Sequence, residues 1–244
     1  MSNNNSVTGA LKRELWKRYG DPAFPAEWNG YVHGGGKLSQ RFWEYFKAIE
    51  FLELEKTSVV LEVGGGSPNT PPFFGTLLAS AVAKVYVMDE NVPSADSAGG
   101  RLEFVPELGN YESVCRVLKA HPEITHVSCV SVFEHIEDSV REGIVRAIDE
   151  LFAGNIFAAT LEFHSKFTFF DYQLTTKTVS QLFAPLKKFY LERCEAAPTP
   201  CENSYASGKL LMAQEPAEPG KLNVKMREDF TPLWYPLALQ FVRG

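Results

Sequence analysis

Cysteine is scarce in this chain. There are four, Cys115, Cys129, Cys194 and Cys201, in 244 residues, and no two stand at C-x-x-C spacing. Without that spacing, a thiolate zinc site or a dithiol redox motif is not expected. Cys129 falls in an apolar stretch and reads as a buried thiol. Cys194 and Cys201 could pair, though a reducing compartment would oppose it. Long apolar runs are missing as well, and none nears the roughly 20 residues that span a bilayer. The opening residues are mostly Ser and Asn, unlike a secretory leader. The expectation is a soluble, cytoplasmic protein without a transmembrane segment. Positive charge is also short: 24 Lys and Arg stand against 30 Asp and Glu, for a net charge of −6. A general nucleic-acid binder needs a basic face to neutralise phosphates. Lys12-Arg13 and Lys187-Lys188 are isolated pairs, which read as solvated surface, so no nucleic-acid partner is expected. Internal repeats and low-complexity tracts are absent too.

Hydrophobic residues make up 45% of the chain and charged residues 22%, enough for one large α/β domain with a short appendage. Thr8 can cap a first helix running to about residue 19, which Asp21-Pro22 and Phe24-Pro25 break. Asn29-Gly30 and Gly34-Gly35-Gly36 mark an irregular segment. Ser39 can cap a second helix running to about residue 54. From residue 58 strands and helices alternate. Strands are expected at 58–63, 84–88, 102–105, 126–132 and 155–162, with helices at 72–82, 110–120, 137–152 and 176–187. The early strands are apolar along their length, as in a parallel sheet covered on both faces. Two further strands, 189–195 and 207–214, suggest an antiparallel closing hairpin.

The most informative stretch is Val59-Val60-Leu61-Glu62-Val63-Gly64-Gly65-Gly66, a buried strand ending in a glycine turn. A second strand, Lys84 to Met88, ends in Asp89-Glu90. A dinucleotide-binding turn would need G-x-G-x-x-G. Gly64 and Gly66 fill the first two positions, but Asn69 stands at the third, and Pro68 removes a donor N–H where a pyrophosphate would sit. What remains is E-x-G-x-G. With Asp89 and the run Val130-Ser131-Val132-Phe133-Glu134-His135-Ile136-Glu137-Asp138, it resembles the class I S-adenosylmethionine-dependent methyltransferases over about residues 58–214. The resemblance implies a Rossmann-like, doubly wound α/β sheet of about seven strands. These are mostly parallel, with an antiparallel last strand, under an N-terminal helical cap. The implied segments are a cap over 1–57, a cofactor-binding core over 58–214 and a tail over 215–244 packed on that core.

The resemblance also implies S-adenosyl-L-methionine as cofactor. Glu62 would support the turn and its contact with the cofactor's amino group. Gly64, Gly65 and Gly66 would let backbone approach the methionine part. Asp89 would accept hydrogen bonds from both ribose hydroxyls. Glu107 or Leu108 would stand near adenine. Phe133 would pack on the cofactor or in the core, with Glu134 beside it. His135 and His164 are candidate bases at the carboxyl ends of the fourth and fifth strands. His33, Tyr31 and Asp171 are candidate acceptor contacts. Trp28, Trp43 and the aromatics from Phe167 to Tyr172 suggest a mouth for a sugar or other planar acceptor, against a reading as core packing. The expected activity is O-methylation of a sugar or glycan hydroxyl. The alternatives are a natural-product hydroxyl or amine as acceptor, or a non-catalytic module that binds the cofactor. No metal is expected, because Glu134, Glu137 and Asp138 are explained by a helix start. The apolar segment 233–242 is expected to fold back on the domain, with a homodimer contact or a membrane-surface contact as its alternatives.

Overall fold

The structure, a computed structural model, describes residues 6–19, 40–66, 72–92, 100–164, 174–196, 210–214, 222–226 and 234–244. Two helices come first, α1 (Val7–Tyr19) and α2 (Gln40–Leu52). Alternation begins with β1 (Val59–Val63), α3 (Phe73–Ala79), β2 (Lys84–Met88) and β3 (Leu102–Val105). It continues with α4 (Tyr111–Ala120), β4 (His126–Val130), a 3-10 turn at Phe133–His135, α5 (Asp138–Leu151) and β5 (Ile156–His164). The chain closes with β6 (Leu174–Thr175), α6 (Thr176–Leu182), β7 (Phe189–Ala196), β8 (Leu210–Gln214), β9 (Leu222–Met226) and β10 (Trp234–Arg243).

The main sheet has the order β3-β2-β1-β4-β5-β10-β7, with two-residue β6 added beside β5. β1 to β5 are parallel, and β10 runs antiparallel to both β5 and β7. The expected doubly wound sheet with one antiparallel strand is therefore present. The strand that supplies the antiparallel run is not the expected one. Residues 210–214 pair with 222–226 in a separate two-stranded sheet. The antiparallel place belongs to β10, paired residue for residue with β5 from Trp234↔His164 to Val242↔Ile156. The C-terminal segment is thus an inner strand of the core. Leu237, Leu239 and Phe241 are fully buried, which removes that surface from a dimer or membrane contact.

Alternation along the strands feeds two apolar layers. One face buries Leu61, Val127, Phe157, Leu161 and Leu239 against α4, α5 and α6. The other buries Val60, Val85, Val130, Ala158 and Ala238 under α1, α2 and α3. Helices α1 and α2 therefore complete one layer of the sheet. Trp43 packs against that layer, on the core side of the two readings given for it. The first helix is capped by Ser6, whose Oγ accepts from Gly9 N at 3.1 Å, and not by Thr8, which lies within it. α4 starts on a reciprocal Asn110–Ser113 capping box. β4 stops two residues short of expectation because Ser131 takes φ +54, which turns the chain out of the sheet. Among the described residues no helix is long and apolar enough to cross a membrane.

Candidate functional site

The strand order reverses direction of travel between β1 and β4, and ligands of open α/β sheets bind beyond the carboxyl ends there. A cleft of about 220 Å3 lies at that place. Its walls include Gly64, Gly66, Asp89, Asn91, Leu108 and His135. A larger hollow of about 640 Å3, floored by Glu53, Thr125 and His126, lies at the amino ends of the strands. The smaller cleft is the one where loops from β1, β2, β3 and β4 converge.

The glycine turn is shaped first by the protein's own side chains. Gly64 sits at φ +80, accessible to glycine at little cost, and a Cβ there would lie 2.4 Å from Val132 Cγ2. A Cβ on Gly66 would lie 2.7 Å from Asp89 Cγ. The turn therefore presses on the β4 loop at one end and on the β2 carboxylate at the other. Gly66 N donates to Asp89 Oδ2 at 3.0 Å. Asn91 donates twice to Asp89 Oδ1, from its backbone N at 2.8 Å and from Nδ2 at 3.1 Å. A carboxylate has about four acceptor sites. Among the described residues three are in use, which leaves one on Oδ2, fewer than a two-hydroxyl grip requires.

Glu62 lies beneath the turn, 2% exposed. Its Oε2 has no hydrogen-bond partner among the described residues. Burial, and then the charge of Asp89, push its carboxyl up to about 8. Below that pH it is held mostly as the neutral acid, and a cation brought beside Oε2 would favour its ionised form.

Beyond β4 the 3-10 turn presents three expected residues differently. Phe133 is fully buried, edge-on to Phe183 at 5.9 Å, which assigns it to the core. His135 lines the cleft, its side chain 62% exposed. Partial desolvation holds the imidazole below its ordinary pKa, Arg41 adds to that, and Glu162 opposes it. Glu134 points inward, 3% exposed, with Ser131 Oγ donating to its Oε1 at 2.6 Å. Its carboxyl is raised to about 8, chiefly by burial and then by Glu162 and Glu44. Arg141 from α5 fixes the turn by donating from Nη1 to the Phe133 carbonyl at 3.1 Å.

Other expectations resolve more simply. Glu107 does not line the cleft; Arg116 Nη1 is 2.5 Å from its carboxylate. Its neighbour Leu108 does line it and is 44% exposed, offering apolar surface to a ring. Gly65 packs over Glu62 and Val87 and not on the cleft. β5 reaches His164, but that side chain lies outside the described residues, as do His33, Tyr31, Trp28, Asp171, the aromatics 167–172 and Cys201. Sequence reasoning missed Asn91 and Arg141, which act through Asp89 and the Phe133 carbonyl.

No family model matches the chain, and no curated protein does. Among solved structures it is similar to a geranyl diphosphate methyltransferase in complex with S-adenosylmethionine. The two are 8% identical, over 94% of this chain and 95% of that one, with a TM-score of 0.51. The geranyl diphosphate methyltransferase solved with geranyl diphosphate and sinefungin gives 8% identity, coverages of 83% and 77%, and a TM-score of 0.50. A magnesium protoporphyrin IX methyltransferase from Synechocystis PCC 6803 aligns over 96% of this chain and 97% of its own, at 15% identity and a TM-score of 0.47. The first two likenesses define the class of fold: this chain has the Rossmann-like methyltransferase fold, with its antiparallel strand set between β5 and β7.

Proposed function

We propose that the protein is an S-adenosylmethionine-dependent methyltransferase acting on a small-molecule hydroxyl, with a sugar or glycan hydroxyl as the acceptor class expected. One observation carries the reading. The Asp89 carboxylate is clamped by Gly66 N–H and Asn91 at the end of β2, beside a cleft whose far wall is His135. The residues present fit the cofactor. Leu108 offers an apolar face for adenine. Asp89, at the end of β2, would accept from the ribose hydroxyls. Glu62, buried beneath the turn with an unpartnered oxygen, suits the ammonium of the methionine part. When bound, the cofactor supplies a methyl group made electrophilic by sulfonium. His135 would accept the proton of the acceptor hydroxyl, and alignment of acceptor and donor would supply much of the remaining rate.

Trp43 packs with the core, and the remaining aromatics of the expected mouth lie outside the described residues. A natural-product hydroxyl or amine is the second acceptor class, and a cofactor-binding module without turnover is the second functional class.

Calorimetry with S-adenosylhomocysteine, followed by mass analysis of products from an acceptor panel, tests the reading. Binding and transfer are expected. Binding without transfer to any acceptor would leave the non-catalytic module, and binding of NAD instead would end the proposal. In the same titration Asp89→Ala should weaken binding by about 1.5–3 kcal/mol, the worth of a hydrogen bond to a charged group. Unchanged affinity would remove Asp89 from the site.

A further inference from the structure

Three carboxylates meet behind the cleft. Glu44 comes from α2, Glu134 from the 3-10 turn and Glu162 from β5, and one oxygen of each lies within 4.8 Å of the others. They are 118 residues apart at the extremes (162 − 44), so only tertiary packing brings them together. Glu44 is fully buried and Glu134 is 3% exposed. Acidic residues gathered under cover repel one another, and burial without a partner for each oxygen is costly. Arg41 Nη1, 3.1 Å from Glu44, takes up part of that charge.

Two further observations point to a ligand. Glu134 Oε2 is buried and has no hydrogen-bond partner among the described residues, although Oε1 of the same carboxylate is held by Ser131. Thr160 Oγ1 is in the same condition, on a residue 1% exposed. Thr160 stands two positions before Glu162, hence on the same face of β5, the face that α2 covers. Unsatisfied acceptors of this kind in a folded core call for an occupant.

Size and donor type narrow the occupant. All the gathered atoms are oxygens, which suit a hard cation. Two oxygens on opposite sides of such an ion stand about 4.2–4.8 Å apart, for metal–oxygen lengths of roughly 2.1–2.4 Å. The three oxygens lie within 4.8 Å of one another, a span set by metal–oxygen lengths of up to roughly 2.4 Å, so the spacing admits a hard divalent ion without choosing among them. We propose that Glu44, Glu134 and Glu162 bind one hard divalent cation, for which Mn2+ serves as the probe, beside the methyl-transfer cleft, and that the cation's remaining positions take oxygens of the acceptor. This deepens the functional reading above and rests on it for the acceptor. Because hard cations select oxygen, it favours a hydroxyl acceptor over an amine. It also replaces the expectation of no metal, since the residue that matters, Glu134, points into the core and not along the start of α5.

The test is titration of the full-length protein, freed of metal by chelation, with MnCl2, followed by the loss of the free-Mn2+ electron paramagnetic resonance signal. One site per chain is expected, competed by MgCl2. Glu134→Gln and Glu162→Gln should each weaken it at least tenfold, while Asp138→Asn on the exposed start of α5 leaves it unchanged. The wild-type titration needs no variant to fold. No saturable Mn2+ binding, or equal binding in both Gln variants, overturns the site. S-adenosylhomocysteine affinity measured in chelator separates the two readings. Retained affinity without Mn2+ binding sinks the cation alone, whereas lost affinity sinks the methyltransferase reading beneath it.

Discussion

At the scale of single residues, the turn after β1 and the carboxyl beneath it make separate predictions. Gly64 combines a left-handed φ of +80 with the close approach of Val132. A side chain there costs about 1–2 kcal/mol for the backbone region alone. Gly64→Ala should therefore lower unfolding free energy in urea by more than that. Val132→Ala in the same chain should recover only the share due to steric overlap. A neutral Gly64→Ala would show that the turn is not held as described. Glu62 responds to pH. Its carboxyl is raised from 4.5 to about 8, so the folded chain keeps a proton that the unfolded chain releases. The group thus makes stability fall as pH rises from about 4.5 to 8, by roughly 1.4 kcal/mol per unit across that window. Glu62→Gln should be the more stable chain at pH 8 and show a flatter profile between pH 5 and 8. Parallel profiles for the two proteins would remove the buried carboxyl from the account.

At the scale of elements, α2 is tied to the sheet through its last turn. Gln240 on β10 donates from Nε2 to the carbonyl of Phe51 at 2.6 Å, across 189 residues of sequence. That carbonyl is among those a helix end leaves without an internal partner. Gln240→Ala should cost roughly 1–3 kcal/mol, as for a buried acceptor left bare, and speed hydrogen exchange in α2. A change confined to β10 would contradict the tie. The same contact explains what could be read from the chain and what could not. Strands β2 and β3 announce themselves locally, by apolar runs closed with Asp89 or followed by turn residues, and they stand at the expected positions. β10 is not legible as an inner strand, because the family resemblance ends near residue 214 and a proline, Pro236, interrupts its apolar run. That proline lies opposite Glu162, near the end of the pairing, so most of the ladder is kept. In the site, Gly64, Gly66 and Asp89 were legible because a strand end and its turn are local. The meeting of Glu44 with Glu162 was not legible, because it depends on where α2 docks.

At the scale of the whole molecule, the placement of β10 decides which part of the chain can fold. A core ending at residue 214 would have β5 as neighbour to nothing on its outer side and would leave β7 without a place in the sheet. In the structure β10 bonds β5 along nine residue pairs, Trp234↔His164 to Val242↔Ile156, and pairs β7 on its other edge. Leu237, Leu239 and Phe241 fill one layer from that strand, and Phe241 stacks on Phe157 at 5.6 Å. Ala238 and Gln240 serve the opposite layer beneath α2. Both apolar layers thus close only when the last strand arrives. Removing three large buried side chains alone would cost about 2–5 kcal/mol each, against total stabilities of about 5–15 kcal/mol for a typical domain. A chain truncated after residue 233 should show no cooperative thermal transition and should expose apolar surface to a fluorescent hydrophobic dye. Adding a peptide of residues 234–244 should restore part of the transition, because strand addition supplies the missing pairs. A truncated chain that melts cooperatively near the full-length temperature would mean that residues before 234 are self-sufficient, and that the last strand merely covers an edge already stable without it.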